Sequence, residues 1–313
     1  MPQQTLAQAR VIDPILTEIA QGYRNAEMVG MNLFPAVPVA QRGGKIIAFG
    51  KEDFAIYATA RAPGANTKRI QFGYTAGSYA LEQHALEAVA PWEHQQEASQ
   101  VAGIQLASMA VRKTQNIIAL RLEKAQADIA TTAASYAAAN KTTLSGTSQW
   151  SDYGSTSNPS KDIETAKDAI RAQIGRRGNT VIMGAAVWSK VRNHPAIIDR
   201  IKYTGRDSIT LDMLATLWGV ERVLVGDAIY TAADGTITDV WGKFVVVAYT
   251  QLGSVQDLGE PSYGYTYRLD GAPYVEQGYQ DRNAKSDIYP VTDEVAPVLT
   301  AAISGYLISA AVA

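Results

Sequence analysis

The sequence predicts an α+β fold built around one outsized helix, and three observations predict it. Residues 93–139 contain no proline and a single glycine, Gly103, among residues that favour helix. Ahead of them, residues 41–91 hold two extended runs separated by turn formers. After them, residues 160–255 alternate strand and helix patterns, as a compact α/β unit does.

Taken in order, residues 1–40 read as an arm. Val11, Ile12, Ile15, Leu16 and Ile19 fall at helical spacing. Leu33-Phe34-Pro35-Ala36-Val37-Pro38-Val39 follows, and each proline biases its predecessor towards an extended backbone. Arg42-Gly43-Gly44 is a turn, and Lys45-Ile46-Ile47-Ala48-Phe49 has strand character. Arg61-Ala62-Pro63-Gly64-Ala65-Asn66-Thr67 reads as a loop tip, and a second extended run covers 70–81 with Phe72, Tyr74 and Tyr79. Together these make a long two-stranded flap. A lone hairpin is marginal in water, so a long one leans on a partner.

Pro91 opens the long helix, where proline is tolerated. At ~1.5 Å per residue, residues 93–139 would run roughly 70 Å. Ile104, Val111, Ile118, Leu122, Ala125 and Ile129 trace its apolar stripe. Residues 140–160 read as a surface loop, followed by a helix from Asp162 ending at Gly175 or Gly178. A buried strand over 179–184 comes next, then a helix over 186–193 and a further helical turn at Ile197, Ile198 and Ile201. A helix over 211–218 stops at Gly219, and strands are expected at 222–225, 243–248, 263–268 and around 288–291.

The chain has 313 residues, enough for two domains or one elaborated domain. Apolar residues make up 47% and charged residues 19%, a globular composition. A net charge of −2 argues against a dedicated nucleic-acid binder. With no cysteine, disulfides, thiolate metal sites and cysteine nucleophiles are excluded. No basic region followed by an apolar run marks an export signal at the start. The uncharged tail 298–313 is too short and too diluted by Thr300, Ser304, Gly305 and Ser309 for a membrane span, and reads as buried strand or helix.

A search for chemistry finds little. His84 with Glu87, and His94 with Glu97, are three apart, which on a helix is metal-ligand spacing. Carboxylate-bridged sites use the reverse order, so solvated side chains at the base of the long helix are the favoured reading. His194 before Pro195 reads as a cationic helix cap. No nucleophile elbow, phosphate loop or dinucleotide fingerprint is present. Arg176-Arg177, Lys202 and Arg206 read as solvated or bridging cations rather than phosphate ligands. The expectation is a protein that is not an enzyme, with no catalytic residue, cofactor or metal.

The order of parts, and a series of segments in it, resembles the major capsid proteins of tailed bacteriophages. Leu33-Phe34-Pro35-Ala36-Val37-Pro38-Val39 with Arg42-Gly43-Gly44-Lys45 is similar to that family's lead into its flap, and Arg61-Ala62-Pro63-Gly64 to the flap tip. Asp162-Ile163-Glu164-Thr165-Ala166-Lys167, the 179–184 strand, Asn193-His194-Pro195, Asp199-Arg200-Ile201-Lys202-Tyr203-Thr204, Trp218-Gly219-Val220, Val223-Leu224-Val225-Gly226, Ile229-Tyr230 and Trp241-Gly242-Lys243 continue it in order. The resemblance implies the Hong Kong phage-type capsid fold, shared with encapsulins. It would comprise an N-terminal arm (1–40), an E-loop flap (41–91), a peripheral domain (92–178) with its spine helix (93–139), an α/β axial domain (179–257) and a β return to the peripheral domain (258–313).

Function is implied likewise: a major capsid protein forming pentamers and hexamers of an icosahedral head around double-stranded DNA. The virion is the implied location, with assembly in the host bacterial cytoplasm. An encapsulin-like compartment is the alternative. The implied partners are further copies of itself, the portal protein, a separate scaffolding protein and a decoration or cement protein, with DNA as non-specific content and no membrane. Contacts between subunits are expected from the flap at Lys45, Phe49, Lys51, Phe54, Arg61, Pro63, Lys68 and Phe72, and from the arm at Leu33, Phe34 and Val37. Some relatives cross-link a flap lysine; Lys45, Lys51 and Lys68 are the candidates here.

Overall fold

A computed structural model of the chain describes residues 16–17, 28–48, 56, 60–61, 75–99, 106–154, 156–201, 209–251 and 262–313. One long helix lies between two sheets. The first sheet has six strands. β1 (Ala36–Val39) runs parallel to β11 (Gly264–Leu269), which is antiparallel to β14 (Ser286–Leu299). β14 also pairs with β12 (Tyr274–Val275), β13 (Tyr279–Asp281) and β4 (Glu82–Pro91). The second sheet has the order β5 (Lys141–Thr143), β15 (Gly305–Ser309), β10 (Val245–Ala248), β6 (Thr180–Gly184) and β7 (Arg222–Gly226). Two hairpins stand apart: β2 (Gly43–Ala48) with β3 (Thr75–Ala80), and β8 (Ile229–Thr231) with β9 (Ile237–Asp239).

The five-stranded sheet is covered on both faces, and its sequence shows why. Successive residues of a strand point to opposite faces. Val181, Met183, Val245, Val247, Tyr306 and Ile308 meet α3 (Pro159–Ile174), α4 (Ala185–Val191), α5 (Pro195–Ile201) and α6 (Leu211–Trp218) in one core. Ile182, Val246, Ala248 and Leu307 point the other way, into a second core with Ala127 and Ala130. These two alanines belong to α2 (Leu106–Thr131). Earlier on α2, Val111 and Ile118 pack with Ala88, Val275 and Val291 of the six-stranded sheet. A single helix therefore braces both sheets.

Local signals place several elements as expected. Asn158 caps α3 by accepting from Lys161 N, Pro159 occupies the first turn, and Gly175 ends the helix at φ +70°. Thr210 caps α6, which stops at Gly219 with φ +60°. The tail forms β15, a buried strand. Among the described residues no helix is long and apolar enough to cross a membrane.

Other elements differ from expectation. The long helix is seen as α1 (Trp92–Ser99) and α2, and α2 ends at Thr131 rather than 139. Thr131 and Thr132 turn their hydroxyls back to the Ala127 and Asp128 carbonyls at 2.8 and 2.6 Å. Residues 133–135 and 138–140 become short 3-10 turns that bury Tyr136. Residues 82–91 lie outside the flap hairpin, as strand β4 of the six-stranded sheet. The five-stranded sheet draws β5 and β15 from outside residues 179–257. Gly103, Ile104, the arm apart from 16–17 and 28–40, and most of 49–74 lie outside the described residues.

Candidate functional site: the roots of the arm and the flap

The arm is held by a buried carboxylate. Glu123 on α2 is 1% exposed. Its Oε1 accepts from Val29 N at 3.0 Å and from the Trp241 indole Nε1 at 2.7 Å, and its Oε2 accepts from Gly30 N at 2.9 Å. Among the described residues no Lys or Arg pairs with it. Burial pushes its pKa up from the usual carboxylate value, while the bonds from Trp241, Gly30 and Val29 pull it back. Gly30 is required here, because a Cβ would lie 2.2 Å from Gln126 Oε1. One turn on, Gln126 Nε2 donates to Thr266 Oγ1 at 2.8 Å, and that hydroxyl donates to Phe34 O at 2.9 Å. The arm is thus joined to α2, to the six-stranded sheet and, through Trp241, to the α/β unit.

The expected arm contacts lie at this root. Leu33, Phe34 and Val37 are buried in their own chain. Phe34 tilts against Tyr263 at 5.4 Å between ring centroids and lies where a side chain on Gly264 would be. Val37 packs with Tyr265 and Tyr267 behind β1. In the single chain these three side chains are covered.

The flap root is built on aromatic stacking. Tyr79 of β3 stacks on Tyr267 of β11 at 4.4 Å and 12°. Gly44 lies under the Tyr79 ring, 2.7 Å from where its Cβ would stand, and Ile46 closes the same cluster. Beside it Arg42 grips Glu294 with two hydrogen bonds, 2.6 and 2.8 Å long. Glu294 is 1% exposed and Arg42 48%, so the flap's first strand is tied to a carboxylate inside the sheet. Arg268 and Asp293 pair behind it at 3.1 Å. Burial pushes Asp293 up, against the pull of Arg268. A groove of about 520 Å³ separates the root from α2, lined by Tyr79, His84, Arg121, Ala125 and Pro297.

Of the expected flap contacts, Lys45 and Arg61 are exposed; Phe49, Lys51, Phe54, Pro63, Lys68 and Phe72 lie outside the described residues, as do Lys202 and Arg206. The histidines do not sit as metal spacing would need. His84 and Glu87 lie on β4, where residues three apart face opposite sides. His84 Nδ1 accepts from Arg121 Nε at 3.2 Å, and Glu87 accepts from the Tyr279 hydroxyl at 3.0 Å. His94 lies on α1, exposed, and the Glu97 side chain lies outside the described ones. His194 caps in the opposite sense from that expected. It is buried, its Nδ1 accepts from Ala196 N at 3.2 Å, and its Nε2 contacts Ser157 Oγ at 3.1 Å. A nitrogen that accepts is unprotonated, so the ring is neutral at the start of α5; burial lowers its pKa. Arg176 stacks on Tyr249 at 5.4 Å, and Arg177 pairs with Glu164 and Asp168. Both arginines are engaged within the chain.

A body braced by one helix, with residues 29–34 and the flap hairpin held to it by buried polar contacts, has the build of a structural subunit. The chain belongs to the phage major capsid protein E family, which matches residues 66–286, and it is a structural component of the phage capsid. It is similar to the major capsid protein of Burkholderia phage BcepMu, with 40% identity over 309 residues that cover 97% of this chain and 98% of that one. A crystal structure of a phage-related protein from Bordetella bronchiseptica RB50 superposes with a TM-score of 0.82 at 47% identity, covering 97% and 98% of the two chains. The capsid of cyanophage P-SCSP1u shares the fold alone, with a TM-score of 0.59 at 9% identity over 98% of this chain and 92% of that one.

Proposed function

We propose that the chain assembles as pentamers and hexamers into an icosahedral head that encloses packaged double-stranded DNA. The likeness to a phage major capsid protein over 97% of the chain carries this reading. The structure supports it physically. The flap leaves the body as a two-stranded ribbon, and Ile56 within it is 100% exposed in the single chain. A ribbon of this kind is stabilised by leaning on something else. Obligate interfaces bury ~2,000–5,000 Å² or more, the scale on which a shell resists pressure from within.

A portal protein, a separate scaffolding protein and a decoration or cement protein are the partners this reading implies, with assembly in the host bacterial cytoplasm. DNA is non-specific content, in keeping with a net charge of −2. The protein acts by assembling and carries no reaction of its own. An encapsulin-like compartment has less support, since the 40% identical relative is a phage major capsid protein. Deleting residues 62–68 tests the reading. The variant subunit should stay folded by circular dichroism and form no shells by electron microscopy. Normal shells from it would refute the flap's role.

A further inference from the structure

Met109, Lys113, Ile117 and Arg121 stand four residues apart on α2 and so form one ridge along it. The ridge is about 18 Å long at ~1.5 Å per residue. Met109 is 56% exposed, Ile117 51% and the Arg121 side chain 65%, and Lys113 is exposed as well. Apolar and cationic residues therefore alternate along it. Arg112, next to Lys113, is exposed too, and among the described residues no carboxylate pairs with either. Arg121 donates to His84 and lies 4.0 Å from the exposed Glu82 carboxylate. Charge is one-sided here. Residues 106–127 hold four cations, Arg112, Lys113, Arg121 and Lys124, against one carboxylate, Glu123, which is buried in the arm's anchor. The next carboxylate, Asp128, pairs with Lys124. Leu86 extends the apolar area. It lies on the face of β4 turned to α2, between His84, which meets Arg121, and Ala88, which packs with Val111 and Ile118, and it is 42% exposed.

We infer that this ridge is a docking site for an acidic amphipathic helix of another protein. A ridge of residues four apart is what a second helix takes into its groove. Apolar side chains of that helix would cover Met109, Ile117 and Leu86, and its carboxylates would meet Arg112, Lys113 and Arg121. Methionine adapts to apolar partners of varied shape, and opposite charges fix register and speed encounter. DNA fits this face less well. Phosphates need only cations and would leave Met109 and Ile117 uncovered. A second copy of α2 also fits less well, since it would set cations against cations. Binding here needs no assembled shell.

Fluorescence anisotropy with a designed peptide tests it. The probe is a labelled helix of about 20 residues, with Leu at every third and fourth position and Glu or Ala elsewhere. A control peptide carries Lys in place of each Glu, and a labelled DNA duplex is the third ligand. The purified subunit should bind the acidic peptide saturably and leave the basic one free. Lys113→Glu combined with Arg121→Glu should weaken binding of the acidic peptide by about 10-fold and bring on binding of the basic one. Ile117→Ser should weaken binding of the acidic peptide by about 5-fold. All three positions are exposed, so the variants should keep the fold, which circular dichroism checks. Should the double variant unfold, Ile117→Ser and the basic peptide decide the matter. No saturable binding of the acidic peptide, equal binding of both peptides, or full binding by Ile117→Ser would overturn the inference. So would DNA binding that is lost in the double variant and kept in Ile117→Ser, the behaviour of a phosphate surface. Each result is read on the single subunit, so none of them bears on the capsid reading.

Discussion

The Glu123 side chain accepts the Trp241 indole N–H at 2.7 Å, joining the long helix to the α/β unit through a buried carboxyl group. The same carboxylate holds the backbone of Val29 and Gly30. One side chain therefore fixes three parts of the chain that lie far apart in sequence. Buried donors that lose such an acceptor cost about 1–3 kcal/mol each. Glu123→Ala should destabilise the unassembled subunit by about 3–5 kcal/mol in urea unfolding. Hydrogen exchange at Gly30 should speed up in the same variant. An arm still protected there would show that Glu123 is not its anchor.

Packing around Trp241 gives a second test. A Cβ on Gly226 would stand 2.0 Å from Trp241 Cδ1, inside a core with no slack. Gly226→Ala should cost about 3 kcal/mol by overpacking. Gly77→Ala is the control, since its Cβ would meet Ile46 at 3.8 Å, an ordinary contact. It should change the unfolding midpoint little, because alanine also narrows the unfolded ensemble.

The pair at the flap root should respond asymmetrically. Arg42→Ala leaves Glu294, 1% exposed, without its bidentate partner, a loss of about 3 kcal/mol. Glu294→Gln leaves a half-exposed arginine that water can solvate, at about 1 kcal/mol. Equal effects in thermal unfolding of the two variants would contradict the burial argument.

Acid should weaken the α/β unit through His194. Its folded pKa is lowered by burial, below the ~6.5 of a free histidine. The unfolded chain then binds more protons than the folded one, so stability fully present above pH ~6.5 is lost as pH falls from there through the lower folded value. Wild type should lose more stability between pH 7.5 and 5.5 than His194→Gln does, in parallel urea titrations. Identical slopes would show that His194 is not buried as a neutral ring.

Legibility in the sequence followed how local each signal is. Asn158, Pro159 and Gly175, or Thr210 and Gly219, bound their helices through contacts within a turn, so α3 and α6 could be read directly. The buried strands β6 and β10 are apolar on both faces and equally plain. Residues 132–139 are rich in alanine and read as helix, yet burying Tyr136 beside Tyr263 redirects them. β4 is rich in helix formers and becomes a strand because β14 is there to pair with. The apolar stripe on α2 was right for Val111, Ile118 and Leu122 and missed Gln115, Glu123 and Gln126, which are buried too. A polar residue inside a helix reads as solvated until its partners arrive from the arm and from Trp241. No spacing rule links positions 29, 123 and 241, so the arm's anchor was not visible before the fold was.

The central claim is that this subunit completes its fold against copies of itself. Sedimentation velocity of the purified protein over a range of concentrations tests it most directly. The account predicts closed particles of many copies, lost when residues 62–68 are deleted. A single-subunit species at every concentration, with residues 49–74 already resistant to protease, would contradict it.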